Sequence, residues 1–379
     1  MMHVVATLLS ANSELVIREA IDSAGGLVDR ELLIDTGITD RTREVAEERL
    51  GERLVVETFA WCGDFARARN FALEAAARCG AEWAMTLDTD ERMEFPGIAS
   101  REELVAALES DPRVRVWLVM EKGGRYAKER FVRVERVEVR GQRVEEETQG
   151  ADAPRSPVRW VGRVHEALVG LGPGEAKVLP GVLFWEVKKP PEEFAAKLQR
   201  DLVALEQETR ERPDDPRWWY YLGQTLEGLG RHREAVNAFR RCLVLPGWDE
   251  QAAWAAYKGA ECLCVLKEFA VAVELCALGL ARQPGSPELA WLAGWCCYQD
   301  GKLREAIHWE RIAIALGNVE GCHAGEGRIS FRHLPAWYEG PYDVLRWAYR
   351  KLGDGQAAAE AERRFREARD QRGRDGGPG

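Results

Sequence analysis

Apolar residues follow two rhythms along this chain, and the change of rhythm divides it. Within the first hundred residues, apolar runs at 3–9, 31–35, 53–57 and 83–87 have strand length. Between them, segments near 13–23, 40–50 and 65–78 carry apolar residues at helical spacing. Asp40 reads as an N-cap with Glu44 in the first turn, and Asp64 as the cap of the third helix. Strand alternating with helix predicts a parallel, doubly wound sheet, which binds ligands beyond the carboxyl ends of its strands. From 113 to 185 the pattern becomes β-rich, with segments at 113–120, 129–139, 158–161 and 177–185. The polar stretch 141–157 holds Gly, Pro and an acidic run and reads as a mobile loop.

Pro190-Pro191 closes this region and opens a long helix at 192–211, with Phe194, Leu198, Leu202 and Leu205 on one face. After Pro213 the period is helical throughout. Trp219-x-x-Leu222-Gly223-x-x-Leu226, then Ala235-x-x-x-Phe239 and Pro246, matches the tetratricopeptide repeat (TPR) pattern. Packing explains each residue: Gly223 and Ala235 are small where two helices approach, while Trp219, Leu222 and Phe239 fill the seam. The unit recurs at Trp254, Ala270 and Ala277, then at Gly294, Ala306 and Ala313. The alanines at 235, 270 and 306 lie 35 and 36 residues apart. An irregular helical pair follows near 341–368, with Gly353 at its turn. The expected organisation is an α/β domain over 1–190, a connecting helix over 191–212 and repeats over 213–316. An irregular helical cap over 317–370 and a disordered tail over 371–379 complete it.

Composition narrows the function. A chain of 379 residues fits two domains, and its net charge of −10 argues against a general nucleic-acid binder, whose footprint is basic. No apolar run reaches membrane-spanning length. The start, Met1 to Ser10, lacks a charged n-region and a small-residue cleavage site and reads as a first strand. Nine cysteines, an odd number without zinc-ribbon spacing, point to a reduced, cytoplasmic compartment, most of them serving as small hydrophobes on helix faces.

The chemistry concentrates at strand ends. Asp88-Thr89-Asp90 follows the apolar strand Trp83–Leu87, and two carboxylates at i and i+2 can turn toward one hard cation. An ordinary turn would also accommodate them. Asp35, at the end of the second strand, is placed to bond a nucleobase or to serve as a turn carboxylate.

The order Asp35-Thr36-Gly37-Ile38-Thr39-Asp40, Phe65-Ala66-Arg67-Ala68-Arg69-Asn70, Asp88-Thr89-Asp90-Glu91 resembles the family 2 glycosyltransferases of GT-A (Rossmann-like) fold. The bacterial subgroup with C-terminal TPRs, which includes peptide S-glycosyltransferases, is most similar. Trp160-x-Gly162-x-Val164-His165-Glu166 and Trp337-Tyr338-Glu339-Gly340-Pro341-Tyr342-Asp343 also resemble its segments. The resemblance implies an α/β GT-A nucleotide-sugar domain followed by an all-α TPR solenoid. It implies an inverting enzyme dependent on Mn²⁺ or Mg²⁺ that moves a hexose from a nucleotide sugar, in the first instance a UDP-sugar. Thr7, at the end of the first strand, and Asp35 would line the nucleotide pocket. Asp88 and Asp90 would form a DXD metal site, with His165 as a further metal or phosphate contact. Arg69 and Arg130 would assist at the diphosphate, whereas Arg133 reads as a surface ion pair. Inversion requires a base to take the acceptor's proton, and Glu166 is the candidate.

The sequence departs from the family in four places. Ser10-Ala11-Asn12-Ser13-Glu14 lacks the usual lysine, Ile38 replaces a common serine and Gly63 a common aspartate. Phe184-Trp185-Glu186 stands where a histidine is frequent, which leaves His165 or Glu186 for the third metal ligand. A TPR groove suggests a protein or peptide acceptor, with a glycan or small-molecule acceptor, or a non-catalytic TPR scaffold with a vestigial transferase domain, as alternatives. A homo-oligomer is compatible with the repeats. Trp219, Trp254 and Trp291 are expected in the helix seams. Trp218, Trp248, Trp295 and Trp337 could stack on an acceptor or, as aromatics at repeat positions commonly do, pack in helix seams, and Trp337 with Tyr338 are the better acceptor-site candidates.

Overall fold

The computed structural model describes residues 4–124, 126–134, 156–188, 190–317 and 331–375. The expected loop 141–157 therefore lies outside the described residues except at its last two positions. Contacts divide the chain into two units, Met1–Pro190 and Pro191–Gly379.

In the first unit the order is β1 (Val4–Ser10), α1 (Ile17–Ser23), β2 (Arg30–Asp35), α2 (Thr42–Leu50), β3 (Leu54–Thr58), α3 (Phe65–Arg78) and β4 (Trp83–Thr86). Then come β5 (Glu91–Glu94), α4 (Arg101–Leu108), β6 (Val116–Glu121), β7 (Ala127–Arg133), β8 (Arg159–Val161), β9 (Ala167–Val169) and β10 (Ala176–Glu186). Eight strands form one sheet in the order β3-β2-β1-β4-β7-β6-β10-β5, and β8 pairs with β9. The first four are parallel, as the alternating pattern predicts. The rest corrects the expectation of a parallel sheet. The chain turns back directly between β6 and β7, which sets β7 antiparallel to both β4 and β6. Likewise β5 leaves the β4 turn and joins β10 antiparallel at the far edge.

Alternation along β1 builds both faces. Val4, Ala6 and Leu8 enter one core with Ile17, Ala20 and Ala46, whereas Val5 joins Ala72, Ala75 and Ala76 of α3 in the other. Alanines on its sheet-facing side let α3 lie close to the strands. Asp64 caps it as read, accepting a bond from the Arg67 amide at 2.9 Å. The cap of α2 is Arg41, one residue later than expected, although the Asp40 carboxylate does receive the Thr42 amide at 3.0 Å. At the far side of the sheet Gly181, with φ +78°, approaches Gly97 so closely that a Cβ on Gly97 would stand 2.8 Å from the Gly181 Cα. This contact lies where β10 slips register against β6.

The second unit is entirely helical among the described residues: α5 (Pro191–Glu211), α6 (Pro216–Gly228), α7 (His232–Val244), α8 (Asp249–Val265), α9 (Phe269–Arg282), α10 (Pro287–Gln299) and α11 (Leu303–Gly317). α12 (Leu334–Trp337), α13 (Gly340–Leu352) and α14 (Gly355–Asp375) follow. Three TPR-like hairpins, α6/α7, α8/α9 and α10/α11, stand in tandem, and a fourth pair turns at Gly353 with φ +78°. Helix α14 reaches Asp375, so residues 371–375 correct the expectation of a disordered tail; 376–379 lie outside the described residues. No helix among the described residues is long and apolar enough to cross a membrane.

The repeat register also corrects the sequence reading. Ala235 and Ala306 are buried, but Ala270 and Ala277 are exposed. Glycine carries the register: a Cβ on Gly223 would lie 2.6 Å from the Phe239 ring, one on Gly259 2.8 Å from Leu275, and one on Gly294 2.3 Å from the Glu310 carboxylate. Each glycine meets the residue 16 places on, in the second helix of its own hairpin. Gly223→Val is accordingly expected to destabilise this unit by about 2–3 kcal/mol through overpacking against Phe239. Hydrogen exchange across α6 and α7 reads the effect, and unchanged protection there would refute the close-approach assignment.

Candidate functional site

The loops at the carboxyl ends of β1, β2 and β4 are bonded to one another. The Asn12 carboxamide oxygen accepts the Thr39 amide at 2.8 Å, and the Ser13 and Thr89 hydroxyls are 3.1 Å apart. Asp35 ends β2 opposite Ser10 in register. Its Oδ1 receives the amides of Gly37 and Ile38, both at 2.8 Å, and so shapes its own loop. Thr7 is placed differently from expectation. Strand β1 pairs with β2 as far as Ser10, so Thr7 is mid-strand, buried, with its hydroxyl directed to the Met85 carbonyl at 3.4 Å. Ser10, also buried, is the residue at the edge.

After β4 the chain turns through Asp88-Thr89-Asp90, closed by the Glu91 amide on the Asp88 carbonyl at 2.9 Å. The Asp90 carbonyl accepts the Val187 amide at 2.8 Å, which sets the end of β10 beside the turn. Arg69, from the second turn of α3, donates to Asp88 Oδ1 at 2.9 Å and, through Nε, to Glu166. The three side chains keep only 11, 29 and 13 % of their surface accessible, so the ion pairs are shielded from water.

Glu166 arrives here by a specific route. The Asn70 carboxamide pairs with the Trp160 backbone like an adjacent strand, giving 2.9 Å to its carbonyl and accepting its amide at 2.8 Å. The Phe65 amide bonds the Arg163 carbonyl at 2.9 Å, and the Arg69 guanidinium lies 5.3 Å from the centre of the Trp160 ring. Between β8 and β9 the chain turns with positive φ at Gly162 (101°) and at His165 (50°), a conformation that non-glycine residues adopt at a cost. Thus the α3 motif holds the turn bearing His165 and Glu166 in place.

On the other side of Asp88 stands a buried charge cluster. Arg130 is within 3.9 Å of Asp88 Oδ2 and bonds Glu91, while Lys128 bonds Glu91 at 3.0 Å and also Glu186. Burial pushes the Asp88 carboxyl toward its protonated form, but the Arg69, Arg130 and Lys128 charges outweigh this and hold it well below the usual carboxylate range. Glu91 shifts the other way. Burial and the neighbouring Asp88 charge raise it against the pull of Arg130 and Lys128. Lys128 is raised, its burial being outweighed by Glu91 and Glu186.

Of the expected site residues, Arg69, Asp88, Arg130 and Glu166 converge. Arg133 instead pairs with Glu109 at 2.6 Å and lies over the Trp83 ring, an ion pair away from this cluster as read. Glu186, considered as a metal ligand, is held by Lys128. Lys128 and Glu91 were not anticipated. Lys128 lies two residues before Arg130 on β7 and so shares its face, a signal hidden by starting that strand at 129.

Asp88, Asp90 and His165 do not form a three-ligand metal group, and among the described residues no such His/Cys/Asp/Glu group occurs. Asp88 and Asp90 are the residues that would hold a divalent cation, whose shell phosphate oxygens and water would complete.

Among the tryptophans, Trp218 and Trp337 are buried, which fits seam packing for Trp218 and corrects Trp337 as the better acceptor-site candidate. The Trp337 indole donates to Glu288, and Trp337 ends the short helix α12 rather than lying in an open loop. Trp295 is half-buried, edge-on to Phe269, and Trp248 is exposed. Trp219, expected in a seam, is only half-buried and bonds the Pro213 carbonyl at 2.8 Å. Trp254 and Trp291 are likewise half-buried.

No protein-family description and no curated protein matches the chain. Solved structures match about half of it. MamA from Desulfovibrio magneticus RS-1 is 19% identical over 48% of this chain and 93% of its own, with a TM-score of 0.35. Another MamA crystal structure is 14% identical over 50% and 99%, with a TM-score of 0.38. YrrB, described as a TPR protein with an unusual peptide-binding site, is 14% identical over 46% and 80%, with a TM-score of 0.35.

Proposed function

We propose that the first unit is an inverting, metal-dependent glycosyltransferase of GT-A type, and that the helical unit engages its protein or peptide acceptor. One observation carries the reading. Residues from three distant segments, Arg69, Asp88 and Glu166, meet beside the carboxyl ends of parallel strands, where open α/β sheets take nucleotides. Asp35 and the Asn12–Thr39 loop pair would receive the nucleoside, and Arg69, Arg130 and Lys128 supply positive charge for a diphosphate.

A divalent cation held by the Asp88–Asp90 turn would stabilise the negative charge of the departing diphosphate. Arg69 is a switchable clamp in this reading. It neutralises Asp88 and Glu166 together, and a phosphate oxygen would offer it a competing partner. Drawn toward phosphate, Arg69 leaves the Glu166 carboxylate free to accept the acceptor's proton. A non-catalytic scaffold would use the same Arg69 bridge only to fasten the Trp160–Glu166 turn to α3.

Titration calorimetry of the full chain with UDP, GDP and other nucleoside diphosphates plus Mn²⁺ separates the two. The wild-type chain is expected to bind one of them only with metal, Asp90→Ala to lose that binding, and Glu166→Gln to keep it while losing sugar transfer to peptide acceptors. A chain that binds no nucleoside diphosphate under these conditions would refute the transferase reading.

A further inference from the structure

After α11 ends at Gly317 the chain enters α12 at Leu334, and the residues just before α12 run back over helices already passed. Phe331 touches the first hairpin through Tyr220, with ring centres 5.7 Å apart. It also meets Trp248, the N-cap of α8, at 5.4 Å and stacks on Trp254 of α8 at 5.7 Å with an 18° tilt. Two residues on, His333 stacks on Trp291 of α10 at 4.8 Å and 19° and faces Tyr257 at 6.1 Å. Phe331 and His333 therefore both turn toward the first helices of the hairpins, and the backbone at His333 is extended (φ −110°, ψ 92°). Between them, the Arg332 guanidinium lies 5.5 Å from the Trp337 ring.

Of the residues beneath, Tyr220 and Tyr257 are core, while Trp254 and Trp291 are half-buried and Trp248 is exposed. Tyr220 and Tyr257 are 2 % exposed, whereas Phe331, Arg332 and His333 are all half-buried. The hairpins are also closed without it, through the Gly223–Phe239 and Gly259–Leu275 contacts. Phe331-Arg332-His333 therefore lies on a finished surface formed by the first helices of three successive hairpins.

We propose that this face, floored by Trp254 and Trp291, reads an extended polypeptide presenting planar side chains at alternate positions, and that Phe331-Arg332-His333 is its tethered occupant. An incoming segment with an aromatic residue and an aromatic or imidazole residue two places on takes the same two stacking sites, and to do so displaces the resident. The inference uses contacts of the helical unit alone and is independent of any activity in the first unit.

The test is binding of a fluorescein-labelled synthetic peptide, Ile-Ser-Phe-Arg-His-Leu-Pro-Ala, to the full chain without nucleotide. A tethered occupant lowers apparent affinity by the fraction of time the face is free, so Phe331→Ser/His333→Ser is expected to bind the peptide at least about ten-fold more tightly than wild type. A peptide with Ser at both ring positions should bind neither chain. Equal affinity of the two chains, or no binding by a variant with wild-type helicity, overturns the proposal. Should the variant lose helicity, hydrogen exchange on the wild-type chain decides. Amides 331–334 must exchange well ahead of those in α8 and α10, and exchange in step with those helices would make the segment core and end the proposal.

Discussion

Arg69→Ala is expected to destabilise the first unit by about 3 kcal/mol at pH 8, because it leaves the Asp88 and Glu166 carboxylates facing one another without their common partner. The deficit should shrink on acidification, and the sign follows from Asp88. Arg69, Arg130 and Lys128 overcome the effect of burial and depress its carboxyl. The stability this contributes is present above the unfolded pKa, about 3.9, and is lost only as pH falls through the lower native value. Without Arg69 burial meets less opposition and the native pKa climbs toward the unfolded one, so the penalty is complete above about pH 4 and shrinks below it. Hydrogen exchange in α3 and β4 at pH 8 and about pH 3 isolates this unit from the helices. Equal protection in wild type and variant at both pH values would show that the bridge contributes nothing.

Glu310→Leu is expected to act in the opposite direction and stabilise the helical unit by about 2 kcal/mol at pH 8. In the first two hairpins the glycine of the first helix faces Phe239 or Leu275; in the third it faces Glu310, fully buried with neither oxygen hydrogen-bonded among the described residues. Burial, with a smaller contribution from Asp343, raises this carboxyl well above its ordinary value. A raised acid gives stability that is complete below its unfolded pKa, about 4.3, and is lost as pH rises through the native value. Wild-type protection in α10 and α11 should therefore decline from pH 5 to pH 8, and the leucine variant should show no such slope. Parallel slopes in the two chains would place the pH dependence elsewhere.

Local signals carried much of this molecule into the sequence reading, and nonlocal ones did not. Helix α3 was legible end to end because Asp64 caps it and its alanines repeat on one face. The parallel half of the sheet was legible because β1 to β4 alternate with helices. The reversal at β7 was not, since an apolar strand carries no mark of its direction. Asp88 and Arg69 were identified by position, but not that the arginine would bridge Asp88 to Glu166, 97 residues away, because that pairing depends on how the β8–β9 turn docks. In the repeats, a count of alanines put Ala270 in register, whereas the steric constraint falls on Gly223, Gly259 and Gly294, which a side chain would block. Trp337 read as a loop aromatic because Gly340 and Pro341 follow it, although both begin α13 and their neighbour is buried.

The Asn70–Trp160 pairing has a consequence for how this chain can vary. Among the described residues, the Asn70 carboxamide and the Phe65 amide, both of α3, anchor the stretch that leads into the His165–Glu166 turn. The aim of Glu166 is thus set in part from α3, so a substitution at Asn70 acts on the acid from a segment far away in sequence, and helix and turn are bound to vary together.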